Sequence, residues 1–133
     1  MKLYIRLYGT VWVSFFSCVL ISRWLGAYVG ASVHALLGTV LLVLTLANAR
    51  TLAALPVPAR LKRVSRVTAG FAVFQAAGGL ALGVSARLVP ALPVVPSLLY
   101  GAHVVCALAI LAQASSVATA YDMWEEREFR EQA

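Results

Sequence analysis

The stretch from Val29 to Ala49, VGASVHALLGTVLLVLTLANA, contains no Lys, Arg, Asp or Glu. As a helix rising 1.5 Å per residue it reaches about 30 Å, the thickness of a bilayer's hydrocarbon core. Working outward, comparable apolar stretches run over 5–25, 67–89 and 97–120. The whole chain of 133 residues is 62% hydrophobic and 12% charged, about half the charged share of a soluble domain. Its mean hydropathy of +0.86 excludes intrinsic disorder, which requires too little apolar surface to bury, and a soluble globule. The first stretch is read as a retained helix and not a signal peptide. Its apolar part, Leu7 to Ile21, is followed by Arg23 and Trp24 with no small-residue cleavage site.

Charge is distributed unevenly. All five acidic residues (Asp122, Glu125, Glu126, Glu128, Glu131) lie beyond position 121, so the four apolar stretches carry no carboxylate. Lys2 and Arg6 sit at the first stretch, and Arg50, Arg60, Lys62, Arg63 and Arg66 fill the link between the second and third. The positive-inside rule places those ends, and hence both termini, in the cytoplasm. The other two connections carry only Arg23 and Arg87, and the second contains Pro90, Pro93 and Pro96; they are expected outside, in a multi-pass plasma-membrane protein.

The expected fold class is all-α, an antiparallel four-transmembrane-helix bundle over 1–121 with a charged, amphipathic cytoplasmic tail over 122–133. Short links place consecutive helices side by side, which makes helices two and four diagonal partners. Gly79 and Gly83 in helix three form a small-xxx-small pattern suited to close helix packing. Cys18 and Cys106 lie in apolar runs without a CxxC pattern, so neither a disulfide, a zinc knuckle nor covalent haem attachment is expected. Basic residues between membrane segments give no reason to expect nucleic acid as a partner.

With carboxylates excluded, the polar inventory in the membrane is short. It comprises His34 in helix two, Gln75 in helix three, His103 in helix four, Asn48 near a helix end, and some Ser and Thr. An ionisable residue in a bilayer is costly and marks a functional site by default. His34 and His103 are the chain's only histidines, and both lie roughly 8 to 10 Å inside the outer boundary by helix rise. Two imidazoles at one level on diagonal helices suit a b-type haem (iron protoporphyrin). Gly38 and Ala107, one turn on at i+4, leave room for a porphyrin, and Arg23 and Arg87 could pair with its propionates. Against this stand interhelical hydrogen bonding by each histidine separately, through Ser32, Ser97 or backbone carbonyls, and another metal; zinc or copper is disfavoured for want of further ligands. Gln75 serves either a structural hydrogen bond or a contact to the ligand.

The runs Val33-His34-Ala35-Leu36-Leu37-Gly38, Gln75-Ala-Ala-Gly78-Gly79 and Ala102-His103-Val104-Val105-Cys106-Ala107-Leu108 resemble one half of the haem A synthase family. That family is usually an eight-helix protein of two similar halves, each with a histidine pair on its second and fourth helices; this chain looks like its compact archaeal-type members of one bundle. The resemblance covers the four helices and not the acidic tail. It implies an oxidoreductase that converts the C8 methyl of haem O to a formyl group, giving haem A, with His34 and His103 as axial ligands. Two departures are visible: Ala31 stands where full-length members have a glutamate, and the cysteine pair that some carry in the first outer loop is missing. Partners in keeping with the resemblance are membrane lipid, a second copy of the chain through Gly79 and Gly83 or Gly26 and Gly30, haem O synthase and a terminal oxidase. The competing function is a small b-type cytochrome or accessory haem subunit of a respiratory complex that only transfers electrons; a purely structural membrane subunit is the third.

Overall fold

The computed structural model describes residues 2–19, 27–88 and 94–132, without the side chains of 19, 27–29, 86–88, 95, 96 and 132. Every element in it is a helix: α1 (Leu3–Val19), α2 (Ala27–Ala54), α3 (Ala59–Leu88) and α4 (Val94–Gln132). Leu and Ala dominate these segments and are strong helix formers. Their scattered hydroxyls are satisfied locally: Thr10 donates to Arg6 O at 2.8 Å, Ser14 to Thr10 O at 2.8 Å, Thr39 to Ala35 O and Ser115 to Leu111 O at 2.9 Å. Bonding to the preceding turn hides a polar group inside an apolar helix.

Three segments, Gly30–Ala54, Ala59–Ser85 and Ser97–Glu131, are long and apolar enough to cross a membrane. The described part of α1, 17 residues, covers about 26 Å at 1.5 Å each. The outer surface is apolar on every side, with Trp12, Leu36, Val43, Phe74, Leu80 and Val105 all more than half exposed. Helices that are hydrophobic all round need an apolar surround.

The basic link expected between helices two and three is mostly helical. α2 continues through Arg50 to Ala54 and α3 begins at Ala59, leaving residues 55–58 as the turn. Arg and Lys favour helices nearly as well as Leu, so the charges that mark topology do not interrupt the backbone. Proline does. Pro56 and Pro58 lack N–H donors and bias the residues before them away from helix. Pro58 O then accepts the first amides of α3, from Leu61 at 2.9 Å and Lys62 at 3.3 Å. Lys62 Nζ donates to Ala53 O at 3.2 Å, covering a carbonyl that the end of α2 leaves unbonded. Val57, 5% exposed, seats the turn in a core with Leu7, Leu52, Leu61, Val117 and Tyr121. The acidic tail is likewise a continuation of α4, which runs unbroken to Gln132.

Each helix packs on two others: α1 on α2 and α4, and α3 on α2 and α4. Hence α2 and α4 are diagonal, as are α1 and α3. Specific contacts fix the directions. Arg6 and Thr10 at the start of α1 meet Asn48 near the end of α2; Tyr8 of α1 meets Asp122 of α4, and Thr68 of α3 meets Gln113 of α4. Neighbouring helices are therefore antiparallel. A second core layer of Leu41, Ala72 and Ile110, flanked by Val13, Leu42 and Phe71, lies midway along the bundle.

Candidate functional site

Beyond that layer, away from the 55–58 turn, the two histidines meet. His34 on α2 and His103 on α4 face each other across the diagonal with ring centroids 5.9 Å apart and planes inclined at 54°. Helix α3 supplies the wall beside them. A Cβ built on Gly78 would lie 3.7 Å from His103 Nδ1, and one on Gly79 only 3.3 Å from His103 Cε1. The second distance is tighter than ordinary packing, so the missing side chain makes the space that the imidazole occupies. Gly79 was expected to serve helix–helix contact; its neighbour is instead the His103 ring, while a Cβ on Gly83 would meet nothing within 4 Å.

Three buried polar atoms here have no hydrogen-bond partner: His34 Nδ1, His103 Nδ1 and Gln75 Oε1. They come from three helices and are the orphans found among the described residues. Leaving a buried acceptor or donor unsatisfied costs about 1–3 kcal/mol each, and such groups call for a specific explanation. Among the described residues no group of three or more His, Cys, Asp or Glu gathers anywhere. The imidazoles therefore stand as a pair.

Of the other expected site residues, Gly38 and Ala107 lie one turn from the histidines and are half-buried. A Cβ on Gly38 would meet nothing within 4 Å, so the helix face there is open whether or not position 38 is glycine. Arg23 lies outside the described residues, and for Arg87 the backbone in α3 is described but the side chain is not. Tyr100, one turn before His103 on α4, is 62% exposed.

The opposite end has a polar network that the sequence reading did not identify. Arg6 Nε donates to Asn48 Oδ1 at 2.6 Å, and its Nη2 donates to Thr51 Oγ1 at 2.5 Å and Ala47 O at 3.3 Å. Asn48 Nδ2 donates in turn to Thr10 Oγ1 at 2.8 Å. Arg6 is thus held by neutral oxygens in place of the absent carboxylates. Beside the network is a cavity of ≈ 10 Å³ lined by Thr10, Thr45, Asn48, Ser65 and Thr68, room for about one water among polar partners.

Comparison with models of protein families, with curated proteins and with solved structures finds no match in any of the three.

Proposed function

We propose that the chain is a membrane haemoprotein of the haem A synthase type, in which His34 and His103 would hold a haem b iron. The observation that carries this reading is the facing imidazole pair with both Nδ1 atoms buried and unpartnered. The ring centroids lie 5.9 Å apart, close enough that both imidazoles could reach one metal ion between them. A closed zinc site takes four protein ligands. Two suffice where a porphyrin supplies the remaining nitrogens.

When bound, the iron porphyrin supplies the redox chemistry. This chain's residues supply the rest. The imidazoles fix the ligand between α2 and α4, and Gly79 lets the His103 ring sit against α3. Gln75 brings a buried carbonyl oxygen that can accept a hydrogen bond from a ligand group. The Leu41, Ala72 and Ile110 layer separates the site from the polar network near the turn. Haem O would be the substrate and haem A the product, by the resemblance of the segments around His34, Gln75 and His103. In this reading α1 is the fourth span, the membrane is the plasma membrane with both termini cytoplasmic, and a second copy would provide the second histidine pair that larger relatives carry in one chain. Haem O synthase and a terminal oxidase are the partners to either side of the reaction.

A second reading is favoured by one observation: the two histidines form a single pair, and among the described residues no group of three or more His, Cys, Asp or Glu surrounds them. Two histidines would suffice to hold one haem for electron transfer in a small b-type cytochrome.

The deciding experiment is pigment analysis of the full chain purified from cells supplied with haem O. Haem A or its hydroxylated precursor, lost in His34→Ala and in His103→Ala, is the result expected. Haem B alone transfers the assignment to the electron carrier, and absence of any haem overturns both.

A further inference from the structure

A groove of ≈ 370 Å³ runs between α2 and α3 on the outside of the bundle, near the turn. Its floor is made of small residues. Ala49 and Ala69 are buried, at 9% and 5% exposure, while Ala53 and Gly70 are exposed. A Cβ on Gly70 would meet nothing within 4 Å, so the bundle leaves this channel unfilled. Leu46 and Val73, 36% and 50% exposed, extend it toward the middle of the helices. Arg50 and Arg66 line it from the two facing helices, with Ala53 nearer the turn than either.

Those two arginines have no acidic partner. The ion pair found among the described residues is Arg127–Glu131 on α4, and no carboxylate precedes Asp122 in the chain. Arg66 Nε reaches only the carbonyl of Lys62 in its own helix, at 3.4 Å. The groove thus joins two uncompensated guanidinium groups to an apolar channel on helices long enough to span a bilayer. Guanidinium groups set beside an apolar channel match one class of molecule: a negatively charged headgroup with hydrocarbon attached. Guanidinium forks suit phosphate oxygens, and basic pockets between membrane helices bind anionic lipid headgroups.

We infer that this groove binds an anionic phospholipid, its phosphate between Arg50 and Arg66 and an acyl chain along Ala49, Ala69, Gly70 and Val73. A free anion would use the arginines and leave the channel without purpose. A second copy would bring the same two arginines toward a like-charged surface. The site is separate from the histidine pair, and its occupancy does not depend on haem.

The test is native mass spectrometry of the full chain extracted from vesicles of mixed phosphatidylglycerol and phosphatidylcholine. Phosphatidylglycerol should be retained over phosphatidylcholine, and the double variant Arg50→Gln/Arg66→Gln should lose roughly tenfold or more of that preference. Arg60→Gln/Arg63→Gln, the same charge change outside the groove, should leave it unaltered. Gly70→Leu, which enters open space and so leaves the helix pair intact, should displace the lipid with both arginines present. Equal loss in the two double variants overturns the site in favour of a diffuse surface charge. Retention unchanged by Gly70→Leu, or full displacement by inorganic phosphate, overturns the seated acyl chain. A delipidated chain that dimerises through this face, and separates on Gly70→Leu, assigns the groove to a second copy and overturns the lipid.

Discussion

The two ends of the bundle treat buried polar groups in opposite ways. Near the 55–58 turn, Arg6, Asn48, Thr10 and Thr51 bond to one another until each has a partner, and Leu52, fully buried, packs beneath the turn. At the other end His34, His103 and Gln75 leave buried atoms unpaired, beside glycines where larger side chains would have filled the space. In a chain with few polar residues to place, an end that satisfies its own groups holds the helices together. Under the proposed function, an end that does not would be completed by a ligand. Stability and ligand binding are therefore expected to separate along the bundle axis.

Substitutions can break that separation, and the largest effect is expected at the histidines. His34→Ala or His103→Ala should abolish haem absorption while the helical circular dichroism of the purified chain persists. The converse substitution is Asn48→Leu, which takes an acceptor from Arg6 and a donor from Thr10. It should lower stability by about 2 kcal/mol, read in a denaturant titration in detergent, and leave the haem bands of the folded fraction in place.

A pair of glycines sharpens the contrast further. Gly79→Ala pushes a methyl to 3.3 Å from the His103 ring and should shift the haem bands at a cost of about 1 kcal/mol. Gly83→Ala, one turn away in open space, should leave the spectrum alone and raise stability by up to about 1 kcal/mol through helix propensity. The smallest effect belongs to Tyr8→Phe. It removes the exposed 2.5 Å hydrogen bond to Asp122 and should lower the thermal midpoint by the equivalent of about 0.5–1 kcal/mol, with no spectral change.

The helices were legible because an uncharged run such as 29–49 has few alternatives to a helix, and the diagonal position of α2 and α4 follows from short links. The level of His34 with His103 was legible too, since helix rise converts residue number into depth. Side-chain direction is what residue number does not contain. Whether Gly79 faces a helix backbone or an imidazole depends on the rotation of α3 about its own axis, set by packing on two neighbours at once. The Arg6–Asn48–Thr10 network has the same origin, joining residues about 40 positions apart on antiparallel helices. The link over 50–66 was misplaced for another reason. Charge marks where a helix leaves the membrane, while Pro56 and Pro58 mark where it stops, and the two differ by up to two turns.

The central claim is that one haem iron is held by His34 and His103 together. Low-temperature electron paramagnetic resonance of the oxidised, haem-loaded chain tests it most directly. The expected result is a low-spin ferric signal that becomes high-spin in both His34→Gly and His103→Gly and returns to low-spin when free imidazole is added. A high-spin signal in the unsubstituted chain, or a low-spin signal that survives either substitution without imidazole, would contradict it.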